Sequence, residues 1–468
     1  MQMGSLALEG DNHDQPLQVV MFPFLAFGHI FPFVHLSNAL AVNGVKVTFL
    51  TLPSLVPKIR LSLDSNVPIL SYKLAPIDGL PSDVCTTNGC SEVLAELLRQ
   101  AMDATRPQIA KILAKLSPQV VVFDAIQCWV PEVAELLGIK SVYFSIFNAI
   151  TVASTILFGL TPHQKPSLWR LRLPPRELIS VYLRVKPYEV RGMLSNAHGS
   201  GSEASNFSRL VSSVARSDAI AVRSTYEVEA PSIKYLSSQC RKPVLPTGVL
   251  LPKGPAGDLE PKLAEWLNKF PKGTVVFCSF GSESYLSVKQ MKELVVGLEM
   301  TRFPFLAVLN TTADTPKVKK QELEAEIGEK AGGRGMVCSG WVNQPLIMRH
   351  PAVGCSINHG GWSSIVEAAE GGCQLVMLPV KGDQYPNTKL MVMQLRAAVQ
   401  INRRAWDGWF TRKAVRKAVR AVMVEGSKKG KVVRANNSKL REILQQEGLQ
   451  EDYTKGFITM LTELVASP

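Results

Sequence analysis

The fold class of this chain is indicated most clearly by residues 341–384, WVNQPLIMRHPAVGCSINHGGWSSIVEAAEGGCQLVMLPVKGDQ. Its apolar run VGCSINH predicts a strand, the stretch from Ser363 predicts a helix, and QLVMLP predicts a second strand. A strand, a helix and a strand in this order form a βαβ unit, in which the two strands run parallel. The segment therefore predicts a parallel sheet covered by helices.

The same alternation continues in both directions along the chain. Around the segment it predicts a helix over 287–301, a helix near Pro345, a helix from Asn387 and the strands TVVFCSF, PFLAVLN, GMVCSGW and AVQIN. In the first half the predicted strands are QVVMFPF from Gln18, VKVTFLT from Val45, VVVFDA from Val120, SVYFSI from Ser141 and AIAVRS from Ala219. The predicted fold class is α/β, with two Rossmann-like doubly wound domains.

The length of 468 residues also favours two domains, because one hydrophobic core rarely grows this large. A stretch rich in Pro and Gly, lacking strand periodicity, separates the two halves and predicts a linker. The predicted limits are a disordered leader over 1–16, an N-terminal domain over 17–247, the linker over 248–272, a C-terminal domain over 273–450 and a final segment over 451–468. The helix in that final segment, predicted over 456–466, is expected to pack back on the first domain.

Composition narrows the class of protein. The hydrophobic content of 46% and the charged content of 19% are those of a globular chain. The net charge of +13 is spread out, and the densest basic clusters, near Lys317 and Lys428, are short, so we expect no nucleic-acid partner. The positive charge either attracts an anionic ligand or reflects only ordinary basic residues on a solvated surface.

Cysteine usage and the first residues predict a location. The eight cysteines show no paired framework, which is typical of a reducing cytosol. The first sixteen residues lack the basic start and apolar run of a secretory signal. We therefore expect a cytoplasmic protein.

Residues 141–164 contain no Asp, Glu, Lys or Arg, and the run is long enough to span a bilayer. Polar residues such as Ser145, Asn148 and Thr151 interrupt it. We therefore expect no stable membrane insertion. A buried strand that leads into an apolar helix, beside a pocket for a hydrophobic ligand, explains the run better.

Two residues predict acid-base chemistry in the first domain. His29 follows the first strand and Asp124 ends the strand VVVFDA, so both should lie at the carboxyl edge of the sheet, where open α/β folds bind ligands. His29 could accept a proton from a hydroxyl, and Asp124 could hold the other ring nitrogen. Alternatively, His29 is a turn residue and Asp124 caps the next helix.

The second domain carries groups suited to a nucleotide. Trp341 ends a predicted strand and offers a flat face to a base, and Gln344 can reach a ribose hydroxyl. Glu367, one turn into the following helix, can accept both ribose hydroxyls. Asp383 and Gln384 can bind sugar hydroxyls from the same sheet edge.

A turn of small residues between strand and helix suits an anion. Backbone N–H groups can approach a phosphate there, at a helix N-terminus. The turn consists of His359, Gly360, Gly361, Trp362, Ser363 and Ser364. A second small turn, with Gly281 and Ser282, closes the strand TVVFCSF and can meet the same phosphates. Taken singly, these residues could also be ordinary core, turn, cap or surface residues.

Two rival enzyme classes lack their signatures. No G-x-G-x-x-G follows the first strand, as a nicotinamide-dependent oxidoreductase would need. No G-x-S-x-G is present, which argues against a hydrolase of the α/β type.

These residues resemble those of plant family-1 UDP-glycosyltransferases over nearly the whole chain. The resemblance rests on AFGHIFPFVHLSNAL, VVVFD, PEVAELLGI, VVFCSFGSE, CQLVMLP, GDQ followed by NTKLM, and DGWFTRKAV. It is greatest to the branch that extends a sugar already present on a flavonoid or other small-molecule glycoside.

The resemblance implies a fold of the GT-B type, with the reaction in the cleft between the domains. It implies transfer of a sugar from a UDP donor such as UDP-glucose, UDP-rhamnose or UDP-xylose, with inversion, to a hydrophobic glycoside. The implied roles are general base for His29, its partner for Asp124, uracil contacts for Trp341 and Val342, ribose contacts for Gln344 and Glu367, diphosphate contacts for Ser282, His359 and Ser364, and sugar contacts for Asp383 and Gln384. No metal and no tightly bound cofactor is implied, and a monomer is expected.

Two positions depart from the family pattern. Gly360 stands where Cys is usual, and we expect no effect; Ser363 stands where Asn is usual, so its contact with phosphate could be direct, through water or negligible. Ser145 is a further candidate for a sugar or acceptor contact. The alternatives are transfer directly to an aglycone hydroxyl and, in another class, a non-catalytic protein that binds a sugar nucleotide or metabolite.

Overall fold

The computed structural model describes residues 16–159, 186–194, 205–251, 257–281, 284–310, 322, 325–329, 334–424 and 426–467, with the backbone alone at 157–159, 193 and 194. Two sheets organise these residues. The strands are β1 (Gln18–Phe22), β2 (Lys46–Thr51), β3 (Ile69–Ser71), β4 (Val120–Phe123), β5 (Lys140–Ser145), β6 (Ala219–Val222), β7 (Val244–Pro246), β8 (Val275–Ser279), β9 (Phe305–Val308), β10 (Gly335–Cys338), β11 (Val353–Asn358), β12 (Gln374–Met377) and β13 (Ala398–Gln400). The predicted leader lies almost wholly outside the described residues.

Both sheets are parallel and doubly wound. Among the described strands the order is β3-β2-β1-β4-β5-β6-β7 in the first sheet and β10-β9-β8-β11-β12-β13 in the second. The strand order reverses between β1 and β4 in the first sheet and between β8 and β11 in the second. Ligands of such sheets bind at the carboxyl ends of the strands beside the reversal. The prediction of two Rossmann-like domains is confirmed.

Helices cover both faces of the sheets, so strands such as β4, all of whose residues are buried, are apolar throughout. The helices are α1 (Phe27–Val42), α2 (Val56–Arg60), α3 (Glu92–Ala104), α4 (Arg106–Leu116), α5 (Val130–Leu136), α6 (Ala149–Gly159), α7 (Pro187–Leu194), α8 (Asn206–Arg216), α9 (Tyr226–Cys240), α10 (Pro261–Leu267), α11 (Val288–Glu299), α12 (Gln344–Arg349), α13 (Trp362–Glu370), α14 (Gln384–Lys389), α15 (Arg412–Met423), α16 (Lys428–Leu444) and α17 (Leu449–Ala466). A π-helical turn over Leu390–Gln394 continues α14.

The structure corrects several predicted boundaries. Trp341 does not end a strand: β10 stops at Cys338, because Gly340 has a φ of +92° and turns the chain away from the sheet. The linker contains a helix, α10, which begins at Pro261 and buries Leu263 and Leu267. Sequence reasoning also missed β3 and β7, since three residues are too few to show periodicity.

The final helix starts earlier than predicted and lies against the first domain. α17 begins at Leu449, after Gly448 with a φ of +81°. The Tyr453 hydroxyl donates to Glu227 Oε2 at 2.8 Å, and the Gln450 Nε2 donates to the Thr247 carbonyl oxygen at 2.8 Å. The last helix of the chain therefore ties the C-terminal end to the N-terminal sheet.

The uncharged run near residue 150 is a buried strand followed by a buried helix, as predicted. β5 leads into α6, whose Ala149, Ile150, Val152 and Ala153 are fully buried, while residues 160–164 lie outside the described part. Within the described helices, none has both the length and the apolarity to cross a bilayer. All eight cysteines are free thiols.

Buried polar contacts join the two domains. The Lys389 Nζ lies 2.9 Å from Glu189 Oε2, and both side chains are buried. The Thr151 hydroxyl of α6 donates to Asn387 Oδ1 of α14 at 2.8 Å. These contacts hold the carboxyl edges of the two sheets toward each other.

Candidate active site

His29 and Asp124 meet at the reversal point of the first sheet. His29 lies in the first turn of α1, directly after β1, and Asp124 follows β4. The His29 Nδ1 is 2.7 Å from Asp124 Oδ2, and 20% of the histidine side chain is exposed against 2% of the aspartate. Asp124 Oδ1 also accepts a hydrogen bond from the Ile126 backbone N–H at 3.3 Å, so the carboxylate caps a short helix as well. Asp124 therefore both contacts the His29 ring and caps the short helix, and its part in catalysis stays a prediction.

The contact with Asp124 leaves Nε2 of His29 as the nitrogen that can face an acceptor. The rings of Phe24 and Phe147 lie edge-on to the imidazole, with centroids 5.5 and 6.2 Å away. This apolar setting suits a hydrophobic acceptor. Ser145, predicted to contact sugar or acceptor, is fully buried, and its hydroxyl donates to the Phe147 carbonyl oxygen, so its contact with a ligand stays a prediction.

The turn after β11 presents backbone N–H groups at the start of α13. Gly361 is the N-cap, and no side chain caps this end of the helix. Helix N-termini of this kind bind phosphate oxygens. Gly281 approaches the turn from the end of β8, since a Cβ built on it would lie 3.1 Å from His359 Cε1. Ser282 lies outside the described residues.

Gly360 is a constrained position, contrary to the expectation that its departure from Cys has no effect. Its φ is +89°, and a Cβ there would lie 2.9 Å from Thr388 Oγ1 and 3.0 Å from the Gln384 carbonyl oxygen. A cysteine would be strained in this backbone. The glycine is therefore part of how this chain builds the turn.

Two residues of the turn point toward the first domain. The indole N–H of Trp362 donates to the Arg223 carbonyl oxygen at 2.7 Å, and only 4% of Trp362 is exposed. The Ser363 hydroxyl oxygen accepts from Arg223 Nη1 at 2.5 Å. Trp362 and Ser363 can therefore meet a phosphate mainly through backbone N–H groups, while Ser364 is only partly buried.

Glu367 lies one turn further along α13. Burial raises the pKa of its carboxyl group to about 7, while the positive charges of Arg223 and Arg349 oppose that rise and Glu370 adds to it. Val342 and Gln344, which are also predicted to bind the nucleotide, are partly buried, and Gln344 is the first residue of α12. Trp341 is 83% exposed, so a face of its indole is open to a base.

Asp383 faces the first domain. Burial raises the pKa of its carboxyl group to about 6, and the charge of His29 is among the influences that lower it, so the two side chains lie within electrostatic reach. The Asn387 Nδ2 donates to Asp383 Oδ2 at 3.1 Å and to the Gly360 carbonyl oxygen at 2.9 Å. Asn387 in turn accepts from Thr151, so a chain of hydrogen bonds runs from the apolar helix α6 to Asp383.

Gln384 is held inside its own loop. Its Oε1 accepts from the backbone N–H groups of Val380 and Lys381 at 2.8 and 3.0 Å, and its Nε2 donates to the Ser284 hydroxyl at 2.8 Å. Only 4% of the residue is exposed. Gln384 shapes the loop that presents Asp383, and its contact with a sugar stays a prediction.

Replacing Thr151 with Val should reduce turnover without weakening UDP binding. The change removes the hydroxyl that donates to Asn387 Oδ1 and leaves this buried oxygen without that hydrogen bond, which costs about 1–3 kcal/mol of stability. Asn387, and with it Asp383, is then held less firmly. We expect kcat to fall roughly fivefold to tenfold, because Asp383 is predicted to contact the transferred sugar and not UDP. Steady-state kinetics and UDP titration measure both quantities.

Thr155 provides the matched control for that change. It lies one turn further along α6, and its hydroxyl donates to the Thr151 carbonyl oxygen of the same helix. Thr155→Val should therefore leave kcat within about twofold, as surface or local hydroxyls usually do. Equal losses in the two variants would show that the coupling through Asn387 is unimportant.

Sequence reasoning missed Arg223, Thr151 and Asn387. Arg223 follows the apolar strand AIAV, so the rule that located Asp124 at a sheet edge could have located it too. Thr151 and Asn387 carry no local signal, because each matters only through a contact across 236 residues of sequence. Among the described residues, no three His, Cys, Asp or Glu side chains cluster as metal ligands would.

The fold and the site together define a class of protein. Two doubly wound sheets, with a His-Asp pair at the reversal point of one and an uncapped helix N-terminus at that of the other, are the arrangement of a two-domain GT-B glycosyltransferase.

Comparison with known proteins identifies the family. The model of the UDP-glucoronosyl and UDP-glucosyl transferase family matches residues 84–441. The chain is 39% identical to anthocyanidin-3-O-glucoside rhamnosyltransferase of Petunia hybrida over 97% of its length and 98% of the relative's. It is 35% identical to anthocyanidin 3-O-glucoside 2'''-O-xylosyltransferase of Arabidopsis thaliana, over 98% and 99% of the two chains.

A solved structure supports the fold. The crystal structure of Glycyrrhiza uralensis UGT73P12 complexed with glycyrrhetinic acid 3-O-monoglucuronide matches with a TM-score of 0.75 at 20% identity, covering 96% of each chain. The chain belongs to the UDP-glucoronosyl and UDP-glucosyl transferase family. It is a UDP-glycosyltransferase, with a UDP-sugar as its donor substrate.

Proposed function

We propose that this enzyme transfers a sugar from a UDP donor to a hydroxyl of a plant specialised metabolite, with inversion, and that the hydroxyl belongs to a sugar of an existing glycoside. The observation that carries the proposal is the His29-Asp124 pair, whose Nδ1 and Oδ2 lie 2.7 Å apart at the carboxyl edge of the first sheet, within electrostatic reach of Asp383 in the second domain. A base and a sugar-binding carboxylate that face each other suit attack by an acceptor on a bound donor.

In the proposed reaction step, the residues at the carboxyl edge of the first sheet move the proton. His29 Nε2 takes the proton of the acceptor hydroxyl while that oxygen attacks the anomeric carbon, and the bond to the UDP oxygen breaks. Asp124 holds the imidazole and stabilises the imidazolium that forms. A single displacement of this kind inverts the configuration of the anomeric carbon.

The second domain binds the donor and stabilises the leaving group. Negative charge builds on the diphosphate as the bond breaks, and the N-terminal N–H groups of α13, together with His359 and Ser364, are suited to stabilise it. Trp341 and Val342 are proposed to hold uracil, Gln344 and Glu367 the ribose, and Asp383 the transferred sugar. Gly281 and Gly361 leave room for the His359 ring, because a Cβ on Gly281 would lie 3.1 Å from its Cε1 and a Cβ on Gly361 2.5 Å from its Nε2.

The acceptor and donor sugars are proposed from the relatives. The Petunia relative is named for rhamnosyl transfer to an anthocyanidin 3-O-glucoside, and the Arabidopsis relative is named for xylosyl transfer to the same class of compound. We therefore propose a flavonoid glycoside as acceptor, and UDP-rhamnose, UDP-xylose or UDP-glucose as donor. We also propose a monomer in the cytoplasm, with no nucleic-acid partner.

A panel of donors and acceptors tests the proposal. Each of the three UDP-sugars is incubated with an anthocyanidin 3-O-glucoside, the matching aglycone and a terpenoid glycoside, and product masses are read. We expect one added sugar on the flavonoid glycoside and much less on the aglycone. Product on the aglycone alone would favour direct glycosylation, and UDP release without any glycosylated product would contradict the proposal.

A further inference from the structure

Arg223 is a buried cation that lies between the two domains. It follows β6 at the carboxyl edge of the first sheet, and 2% of it is exposed. Burying a guanidinium costs several kcal/mol unless hydrogen bonds and an opposite charge compensate. The contacts of Arg223 therefore indicate why it is there.

The hydrogen bonds of Arg223 connect it to α13, the helix whose N-terminus is proposed to bind the diphosphate of the donor. Its Nη1 donates to the Ser363 hydroxyl at 2.5 Å, and its own carbonyl oxygen accepts from the Trp362 indole at 2.7 Å. Both partners are in the first turn of α13. The Nε donates to the Val249 carbonyl oxygen at 2.8 Å, in the segment that leaves the first domain. One side chain thus joins the first sheet, that segment and the phosphate-binding end of α13.

The charge of Arg223 acts on Glu367, one turn further along the same helix. Burial lowers the pKa of Arg223 to about 10, so the guanidinium stays charged at neutral pH, and Glu367 is the charged neighbour that raises it. Arg349 and Glu370 are the other charged groups that face Glu367. His35 faces Arg223 from α1, and burial together with the Arg223 charge lowers its pKa to about 4, so it is neutral.

We propose that Arg223 is a positioning residue for the donor site: it holds the first turn of α13 through Ser363 and keeps a positive charge beside Glu367. The inference rests on the proposed role of Glu367 in binding the donor ribose. Arg223 acts through α13, so a residue of the first domain influences the affinity of the second domain for UDP. Ser363, which stands where the family usually has Asn, supplies the hydroxyl that receives this contact.

Replacing Arg223 with Met removes the charge and the hydrogen bonds with little loss of volume. We expect the dissociation constant of UDP to rise about tenfold at pH 7, because Glu367 then binds its proton more tightly and α13 loses its anchor. The loss should shrink at pH 8.5, where Glu367 ionises again. Arg223→Lys, which keeps the charge, should retain the pH profile of the wild type with a smaller loss of affinity. Calorimetric titration with UDP at pH 6, 7 and 8.5 measures all three proteins.

Two further variants separate positioning from general damage. Ser363→Ala removes the contact and leaves the charge, so it should weaken UDP binding severalfold with an unchanged pH profile. In a Glu367→Gln background, Arg223→Met should add only the severalfold loss seen in Ser363→Ala, since the charge of Arg223 then has no carboxylate to act on. If Arg223→Met fails to fold in a thermal melt, Ser363→Ala and Arg223→Lys decide, and wild-type UDP affinity in both would overturn the inference.

The outcomes also separate this inference from the proposed function. Wild-type UDP affinity and pH profile in Arg223→Met would overturn the role of Arg223 and leave the enzyme's activity as proposed. Fully additive losses in the double variant would overturn the link to Glu367. Absence of UDP binding by the unaltered protein would overturn the donor site, and this inference with it.

Discussion

His29→Ala should lose most of its turnover while it still binds UDP. Positioned general bases contribute about 10²- to 10⁴-fold to catalysis, and kcat should fall within that range. His29 lies in the first domain, away from the turn that is proposed to bind the diphosphate, so the UDP dissociation constant should stay within about twofold. Initial rates with a saturating donor and UDP titration by calorimetry measure the two effects.

Asp124→Asn provides a second test of the pair, and His350→Gln provides a control. Asp124→Asn keeps the shape of the site but removes the charge 2.7 Å from the imidazole, so it should lower kcat by about 10²-fold or more. His350 lies just before β11, at the opposite edge of the second sheet, and contacts Asn268. His350→Gln should leave turnover unchanged. Transfer at the wild-type rate by His29→Ala would refute the base assignment.

Glu367→Gln should weaken UDP binding about 10- to 100-fold. Hydrogen bonds to a charged group contribute about 1.5–3 kcal/mol, and the amide replaces the carboxylate that is proposed to accept the ribose hydroxyls. The maximum kcat should change less than the affinity, because ribose lies away from the reacting carbon. Calorimetry with UDP measures the affinity directly.

The pH dependence of UDP binding is a second test of the role of Glu367. Burial raises the pKa of Glu367 to about 7, and the ligand needs the ionised form, so affinity should fall as pH falls through 7. Relative to pH 8, UDP should bind about tenfold more weakly at pH 6, which follows from one pH unit below the pKa. Glu367→Gln has no such proton to bind, so its profile should keep only the titration of the UDP phosphate. Parallel profiles in the two proteins would contradict the assignment.

Parallel sheets were predictable from local pattern. VVVFDA, AIAVRS and VGCSINH are short apolar runs bounded by polar residues, which is how strands buried on both faces are recognised. Apolar runs located the site residues as well: QVVMFPF located His29, VVVFDA located Asp124 and VGCSINH located Glu367, because parallel strands bring their carboxyl ends to one edge. The meeting of His29 and Asp124 at 2.7 Å is a consequence of β1 and β4 being neighbours.

Other features depended on contacts between distant residues. Ser145 carried the right chemistry at the right edge, yet packing buries it completely. Gly360 was read as a silent departure, but its φ of +89° and its closeness to Thr388 make the glycine necessary. Gln384 was assigned to the sugar alone, while its amide holds the backbone of its own loop.

By itself, the sequence determined the fold class, the two sheet edges and the residue types available there, because hydrophobic periodicity and the position of a residue after a strand are local properties. The tertiary structure alone decided that Arg223 reaches Ser363 across 140 residues and that Thr151 holds Asn387, and through it Asp383. Such pairs form only when the residues around the two sheets pack against each other. Their energies depend on burial and on the charges that close packing places beside them, which no stretch of a single strand or helix encodes.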